Sequence, residues 1–212
     1  MNELVIYGSP LSSYVRTVRL AAHEKGVTYT LREVNWRKPE YRDLHPFNKM
    51  PAMSHGEFKL YEAQAIAHYL DEAFPGPSLQ PADVKARARM EQWISAINAY
   101  LFPTLVMGLI FQRIIGPLSG KLPDEAAIKA MLPEAERQID LVERALAEGG
   151  WLAGSSMSLA DLFLMPVFYY LNQTPEGRPL LQARPNIQAT GRKVEALASF
   201  QATMPPMPKA AE

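Results

Sequence analysis

Along the first third of the chain the apolar positions change period from one segment to the next, and each change marks an element. Leu4-Val5-Ile6-Tyr7 is a short continuous apolar run stopped by Gly8-Ser9-Pro10, which predicts a buried strand entering a turn. From Ser12 or Ser13 onward Val15, Val18, Leu20, Ala21 and Ala22 recur at helical spacing, with Arg16 and Arg19 among them, and Gly26 is a natural stop. Val27, Tyr29 and Leu31 then alternate with Thr28, Thr30 and Arg32, the period of a half-buried strand. So close a β-α-β unit requires parallel strands joined by a right-handed crossover. Pro39 to Leu44 predicts a short helix closed by His45-Pro46. Met50 to Ser54 and Phe58 to Tyr61 flank His55-Gly56-Glu57 as a hairpin. Glu62 to Phe74, with Ala65, Ile66, Tyr69, Leu70 and Ala73 at helical spacing, runs into Pro75-Gly76-Pro77.

The order β-α-β-α-β-β-α is the thioredoxin-like arrangement. Pro75 to Asp83, rich in proline and poor in apolar residues, reads as a linker, and beyond it only helical patterns are found. Val84 to about Ile115 predicts a long helix bent near Pro103. Asp124 to Glu148 predicts another, with Ile128, Leu132, Ala135, Ile139, Val142 and Leu146 on one face and Gly149-Gly150 as its end. Ser158 to Leu171 is nearly all apolar, as a central helix would be. Shorter helices are expected around Leu180 and from Asn186 to Leu197, and a frayed tail from Met204. The expected fold class is therefore an α/β N-terminal thioredoxin-like domain with an all-α C-terminal helical-bundle domain. The divisions are residues 1–76, a linker at 77–83, and the helical domain at 84–212.

Composition narrows the functions. With 48% hydrophobic and 21% charged residues the 212-residue chain is ordinary globular material. Lys plus Arg equals Asp plus Glu at 22 each, so no electrostatic case exists for nucleic acid or an anionic membrane. The absence of cysteine excludes disulfides, thiolate metal sites and a cysteine nucleophile. Met1 to Pro10 lacks a signal-peptide pattern, and the apolar stretch Tyr100 to Phe111, with Pro103 and Gly108 inside, is shorter than a membrane span. A cytoplasmic protein is the expectation. His23, His45, His55 and His68 lack ligand-like spacing, so no metal is expected.

Candidate chemistry gathers at the ends of these elements. Ser12 stands between the first strand and the first helix, where unpaired backbone N–H groups favour an anion, a thiolate included. A helix N-cap is the competing role for Ser12 or Ser13, and spacing alone favours it. Met50-Pro51 is either a trans turn proline or, in a thioredoxin-like domain, a cis proline opening the third strand toward a peptide-like ligand. Glu62-Ala63 begins a helix whose free amides suit a carboxylate, while Glu62 suits an ammonium; favourable first-turn acid placement explains it equally. Ser158-Leu159-Ala160-Asp161 is a capping box ahead of an apolar run and is structural.

Together, Ser9 to Arg16 (SPLSSYVR), His45 to Ala52 (HPFNKMPA), Leu60 to Leu70 (LYEAQAIAHYL) and Trp151 to Asp161 (WLAGSSMSLAD) resemble the cytosolic glutathione transferases over nearly the whole chain. The serine-type classes (theta, phi and zeta) are the most similar, because Ser12 stands four residues before Arg16. The resemblance implies glutathione as co-substrate and Ser12 as the hydroxyl that activates its thiol, with Ser13 the neighbouring alternative. It implies Met50-Pro51 against the cysteinyl unit, Glu62 and Ala63 at the γ-glutamyl end, and Arg37 and Lys49 near the glycyl carboxylate. The second substrate, a small hydrophobic electrophile, would lie against Pro10, Leu11, Tyr100, Leu101, Leu105 and Phe111. It implies a homodimer in which the α/β domain of one subunit meets the helical domain of the other. Glu62 is followed by Ala63 where the family usually has serine, which removes a hydrogen bond of about 1.5–3 kcal/mol. A non-catalytic binding or adaptor protein, or a glutathione-dependent isomerase, peroxidase or dehalogenase, are the alternatives.

Overall fold

A computed structural model describes residues 3–206; the end of the tail expected to fray lies outside the described residues. The chain forms two compact units, one of Met1–Leu79 with Ala196–Glu212 and the other of Gln80–Glu195.

In the first unit, β1 (Leu4–Tyr7), α1 (Ser13–Glu24), β2 (Thr30–Arg32), a 3-10 turn (Pro39–Asp43), β3 (Ala52–His55), β4 (Phe58–Tyr61) and α2 (Ala63–Ala73) follow the expected order. They build a four-stranded sheet in the order β2-β1-β3-β4. β1 runs parallel to β2 and antiparallel to β3, which is antiparallel to β4. The inner position of β1 explains its unbroken apolar run, since a strand with neighbours on both sides and a helix on its face has no solvent side. β2 is shorter and later than the alternation from Val27 suggested, because pairing begins only at Val5 opposite Thr30. Val15, Val18, Leu20, Ala21 and Ala22 of α1 are all fully buried, and Gly26 leaves the helix at φ +65. Lys25 and Asp71 form a buried ion pair at 3.1 Å. The same Asp71 carboxylate accepts from Leu79 N–H at 2.8 Å, and Lys25 Nζ donates to Pro77 O at 3.0 Å, tying the start of the linker to this unit.

The helical unit contains α3 (Val84–Ala96), which continues as a π-helical segment (Ile97–Ile115) and a last turn α4 (Gly116–Leu118). It is followed by α5 (Glu125–Gly149), α6 (Leu159–Leu171), α7 (Gly177–Gln182) and α8 (Pro185–Glu195). The expectation of an apolar stretch too short for a membrane span is corrected here. Neither Pro103 nor Gly108 ends the helix, and Val84–Leu118 runs for 35 residues, long and apolar enough by length and composition to cross a membrane. Met90, Ile94, Ile97, Leu101, Leu105 and Leu109 are nevertheless buried along it, and it packs on α5 and α6, as the core helix of a folded unit does. Gly108 lets α5 pack closely against the long helix: a Cβ there would stand 2.8 Å from Met131 Cγ. The capping box is formed, with Asp161 accepting from Ser158 N–H at 2.8 Å and from Leu152 N–H at 2.9 Å.

One short helix, α9 (Ala198–Ala202), was not expected from the sequence, and it packs on α1. The chain from Ala196 therefore joins the first unit, whereas the division at 84–212 assigns it to the helical one.

Candidate active site

Strand register brings the candidate segments to one end of the sheet. Tyr7 pairs with Ala52, and Ala52 pairs with Tyr61, so the three residues form one row. The Gly8–Ser12 loop leaves from the first, Met50-Pro51 enters at the second, and Glu62-Ala63 follows the third. Gly8 makes the approach possible. At φ +154 a Cβ would stand 2.4 Å from Val15 Cγ2 and 3.3 Å from Met50 Cβ. Ser9 N–H also points to Met50 Sδ at 3.4 Å. The Met50-Pro51 bond is cis.

Ser12 is the N-cap of α1, its Oγ accepting from Val15 N–H at 3.4 Å. The cap and the thiol-activating role are compatible. Accepting from an amide uses a lone pair of the hydroxyl, and its proton is left to donate to an anion at the same helix end. Ser13 is the first residue inside the helix, with its carbonyl taken by Thr17 Oγ1 at 3.2 Å.

Glu62 precedes α2 in an unusual conformation, φ +72 and ψ +120, with no side-chain bond capping the helix. A non-glycine residue held there costs about 1–3 kcal/mol and is most often kept at a functional site. Its carboxylate is 63% exposed and 3.9 Å from Nε2 of the buried His45. Burial is the main reason the His45 ring is pushed below its ordinary pKa, with Lys49 acting in the same direction and Glu62 against it. This contact is thus with a neutral ring. Burial, and then the Glu62 charge, push the Tyr14 hydroxyl well above its usual range. Ala63 is buried at the first position of α2.

His45 and Tyr14 were not among the expected site residues. His45 packs against Tyr41, Phe47 and Tyr61, with ring centroids 6.4, 6.4 and 5.0 Å away. Its position just before Pro46 is the only sequence signal it carries. Arg37 and Lys49 are both exposed, and the Arg37 guanidinium lies 5.0 Å over the Trp36 ring rather than on another site residue. Of the expected electrophile-pocket residues, Pro10 and Leu11 are half-buried beside Ser12, and Leu101 and Leu105 are buried in the core face of the long helix. Tyr100 is 64% exposed, and Phe111 is half-buried with Lys121 Nζ 5.7 Å from its ring. Among the described residues no group of three or more His, Cys, Asp or Glu is placed to hold a metal ion.

A thioredoxin-like unit with two helix N-termini and a cis-proline edge at one end of its sheet, joined in sequence to an all-helical unit, defines the glutathione transferase fold. Comparison with known proteins agrees. The glutathione S-transferase N-terminal domain family matches residues 6–78, and the C-terminal domain family matches residues 125–189. Glutathione S-transferase 3 of Zea mays is 31% identical over 98% of this chain and 96% of its own length. Glutathione S-transferase F14 of Arabidopsis thaliana is 34% identical over 82% of this chain and 72% of its own. Among solved structures, glutathione S-transferase III in apo form superposes with a TM-score of 0.89 at 30% identity, covering 99% of this chain and 100% of that one. Glutathione S-transferase I from mais in complex with an atrazine glutathione conjugate does so with 0.85 at 25%, covering 95% and 96%. The chain belongs to the glutathione S-transferase family.

Proposed function

We propose that this protein conjugates the glutathione thiolate to a small hydrophobic electrophile, with Ser12 as the thiol-activating hydroxyl. The observation that carries the reading is the single row Tyr7, Ala52, Tyr61, from which the Ser12 loop, Met50-Pro51 and Glu62-Ala63 all depart. A γ-glutamyl tripeptide has a thiol, two carboxylates and an ammonium, and these groups match what is gathered there. The sulfur meets Ser12, the cysteinyl backbone meets Met50, and the γ-glutamyl end meets the α2 amides and the exposed Glu62 carboxylate. Lys49 and Arg37 are the cations for the glycyl carboxylate.

Activation proceeds by favouring the charged form of the sulfur. The Ser12 hydroxyl donates to the thiolate while the α1 N-terminus supplies positive potential, so the thiol loses its proton to solvent near neutral pH. The thiolate then attacks the electrophilic carbon. The new C–S bond forms as a leaving group departs with its electron pair, or as the electrons of an activated double bond move onto their acceptor. Pro10 and Leu11, half-buried beside Ser12, are assigned to the apolar partner, for which the bound conjugate of the maize relative is a precedent. We further assign the chain to the cytoplasm, as a homodimer.

The test is conjugation of glutathione to an aryl halide by the Ser12→Ala and Ser13→Ala variants. Loss of a charge-assisted hydrogen bond of about 1.5–3 kcal/mol lowers kcat/KM about tenfold to a hundredfold for Ser12→Ala and leaves Ser13→Ala near wild type. The reverse pattern moves the role to Ser13. Full activity in both variants would overturn the serine mechanism.

A further inference from the structure

Helix α1 is held from two sides within its own unit. Its apolar stripe packs on the sheet and on α2. Arg16, Arg19 and Glu24 of the same helix all engage α9 and the residues just after it. Arg16 is fully buried. Its Nε donates to Thr203 Oγ1 at 3.4 Å and its Nη2 to Phe200 O at 3.1 Å, while the guanidinium lies 4.1 Å over the Phe200 ring. Arg19 donates to Thr203 O at 3.5 Å and Ala202 O at 3.4 Å, and Ser199 Oγ donates to Glu24. Two arginines thus satisfy the carbonyls at the C-terminal end of α9, where a helix most favours cations.

This clamp grips α1 one turn from the candidate thiol activator. The first main-chain bond of α1 is Arg16 N–H to Ser12 O at 2.9 Å, so displacement of Arg16 is carried directly to Ser12. A hydrogen bond to sulfur weakens steeply with misalignment, and misplacement of about 1 Å near reacting atoms costs on the order of a hundredfold in rate.

We propose that the segment Ala196–Met204, acting through Arg16, Arg19 and Glu24, is a positioning device for glutathione activation: it fixes α1 so that Ser12 Oγ meets the sulfur. Arg16 is accordingly a positioning residue, reaching the thiol through Ser12. The inference rests on Ser12 being the activator.

The experiment uses full-length Thr203→Val, Phe200→Ala and Arg16→Lys. Each is checked for folding by circular dichroism and for glutathione binding by calorimetry, and the bound thiol is then titrated by its thiolate absorbance. Thr203→Val removes the acceptor of Arg16 Nε, and Arg16→Lys keeps the charge but loses the planar fork. The expected result is a bound-thiol pKa raised by about one unit, with kcat/KM at neutral pH down about tenfold. Glutathione affinity should change by less than about twofold, because the carboxylate-binding groups are untouched. A wild-type thiol pKa in folded Thr203→Val and Arg16→Lys overturns the proposal, whether or not Phe200→Ala folds. Ser12→Ala, titrated alongside, separates the two ideas. If it raises the thiol pKa and the clamp variants do not, only the clamp fails; if it too has no effect, the reading of Ser12 fails.

Discussion

Replacing Asp161 by asparagine should change the pH dependence of stability in a direction unusual for a carboxylate. The side chain is 3% exposed and accepts from Leu152 N–H at 2.9 Å, Ser158 N–H at 2.8 Å and Ser158 Oγ at 2.9 Å. Those donors favour the charged form, but burial outweighs them and pushes the carboxyl up from 3.8 to about 6. Between those two values the folded protein holds a proton that the unfolded chain has released, so stability from this group falls as pH rises. A difference of about two units corresponds to about 3 kcal/mol. Asparagine cannot titrate, and its amide also faces two donors at Ser158, so the variant is less stable throughout. Urea unfolding of both proteins from pH 4 to 7 isolates the group, since other titrations cancel in the difference. The advantage of the wild type should shrink by about 3 kcal/mol over that range and stay flat above it. A difference independent of pH, or a carboxyl resonance titrating below about 4, would refute the reasoning.

Other expectations follow from the same geometry. Asp71→Ala leaves Lys25 buried without its partner and Leu79 N–H without its acceptor, so thermal or urea unfolding should show a loss of about 3–5 kcal/mol. Ala63→Ser restores the hydroxyl usual in the family at the start of α2, and calorimetry should find glutathione binding about tenfold tighter or more. No gain would mean that the γ-glutamyl carboxylate is held elsewhere. Arg113 clamps Glu125 at 2.6 and 2.8 Å and also Glu176, and holds both carboxyls below their ordinary range. What that clamp adds is present above the ordinary carboxylate pKa and lost in acid, opposite in sign to Asp161. Arg113→Met should therefore lower the urea-unfolding midpoint at pH 7 and change it much less at pH 3, and an equal loss at both pH values would contradict this.

The fold was legible wherever local pattern and tertiary burden coincide. The unbroken run Leu4–Tyr7, the helical stripe Val15–Ala22 and the hairpin around Gly56 appear where their periods put them. The late start of β2 was not legible, because Val27 and Tyr29 alternate like strand residues but reach no partner in β1. The long helix expected from Val84 to about Ile115 forms with Pro103 inside it; what the pattern did not show is its wider, π-helical winding over Ile97–Ile115, where the core face packs on α5 and α6. α9 was missed because five residues are too few to show a period, and what holds them is Arg16 and Arg19, more than 180 residues earlier. At the site, Ser12, Met50-Pro51 and Glu62-Ala63 could each be picked out, yet none excluded a purely structural role alone. Only the register Tyr7, Ala52, Tyr61 joins them, and register is a property of the assembled sheet. His45 and Tyr14 were invisible for the same reason: their importance lies in nearness to Glu62, which no spacing rule reveals.

The measurement that bears most directly on the account is calorimetric titration of the purified protein with reduced glutathione at neutral pH. The account predicts one-to-one binding per chain, with a dissociation constant between about 10 µM and a few mM. No detectable heat at that concentration, from a protein shown to be folded, would contradict it and leave the fold as a scaffold for a binding or adaptor role.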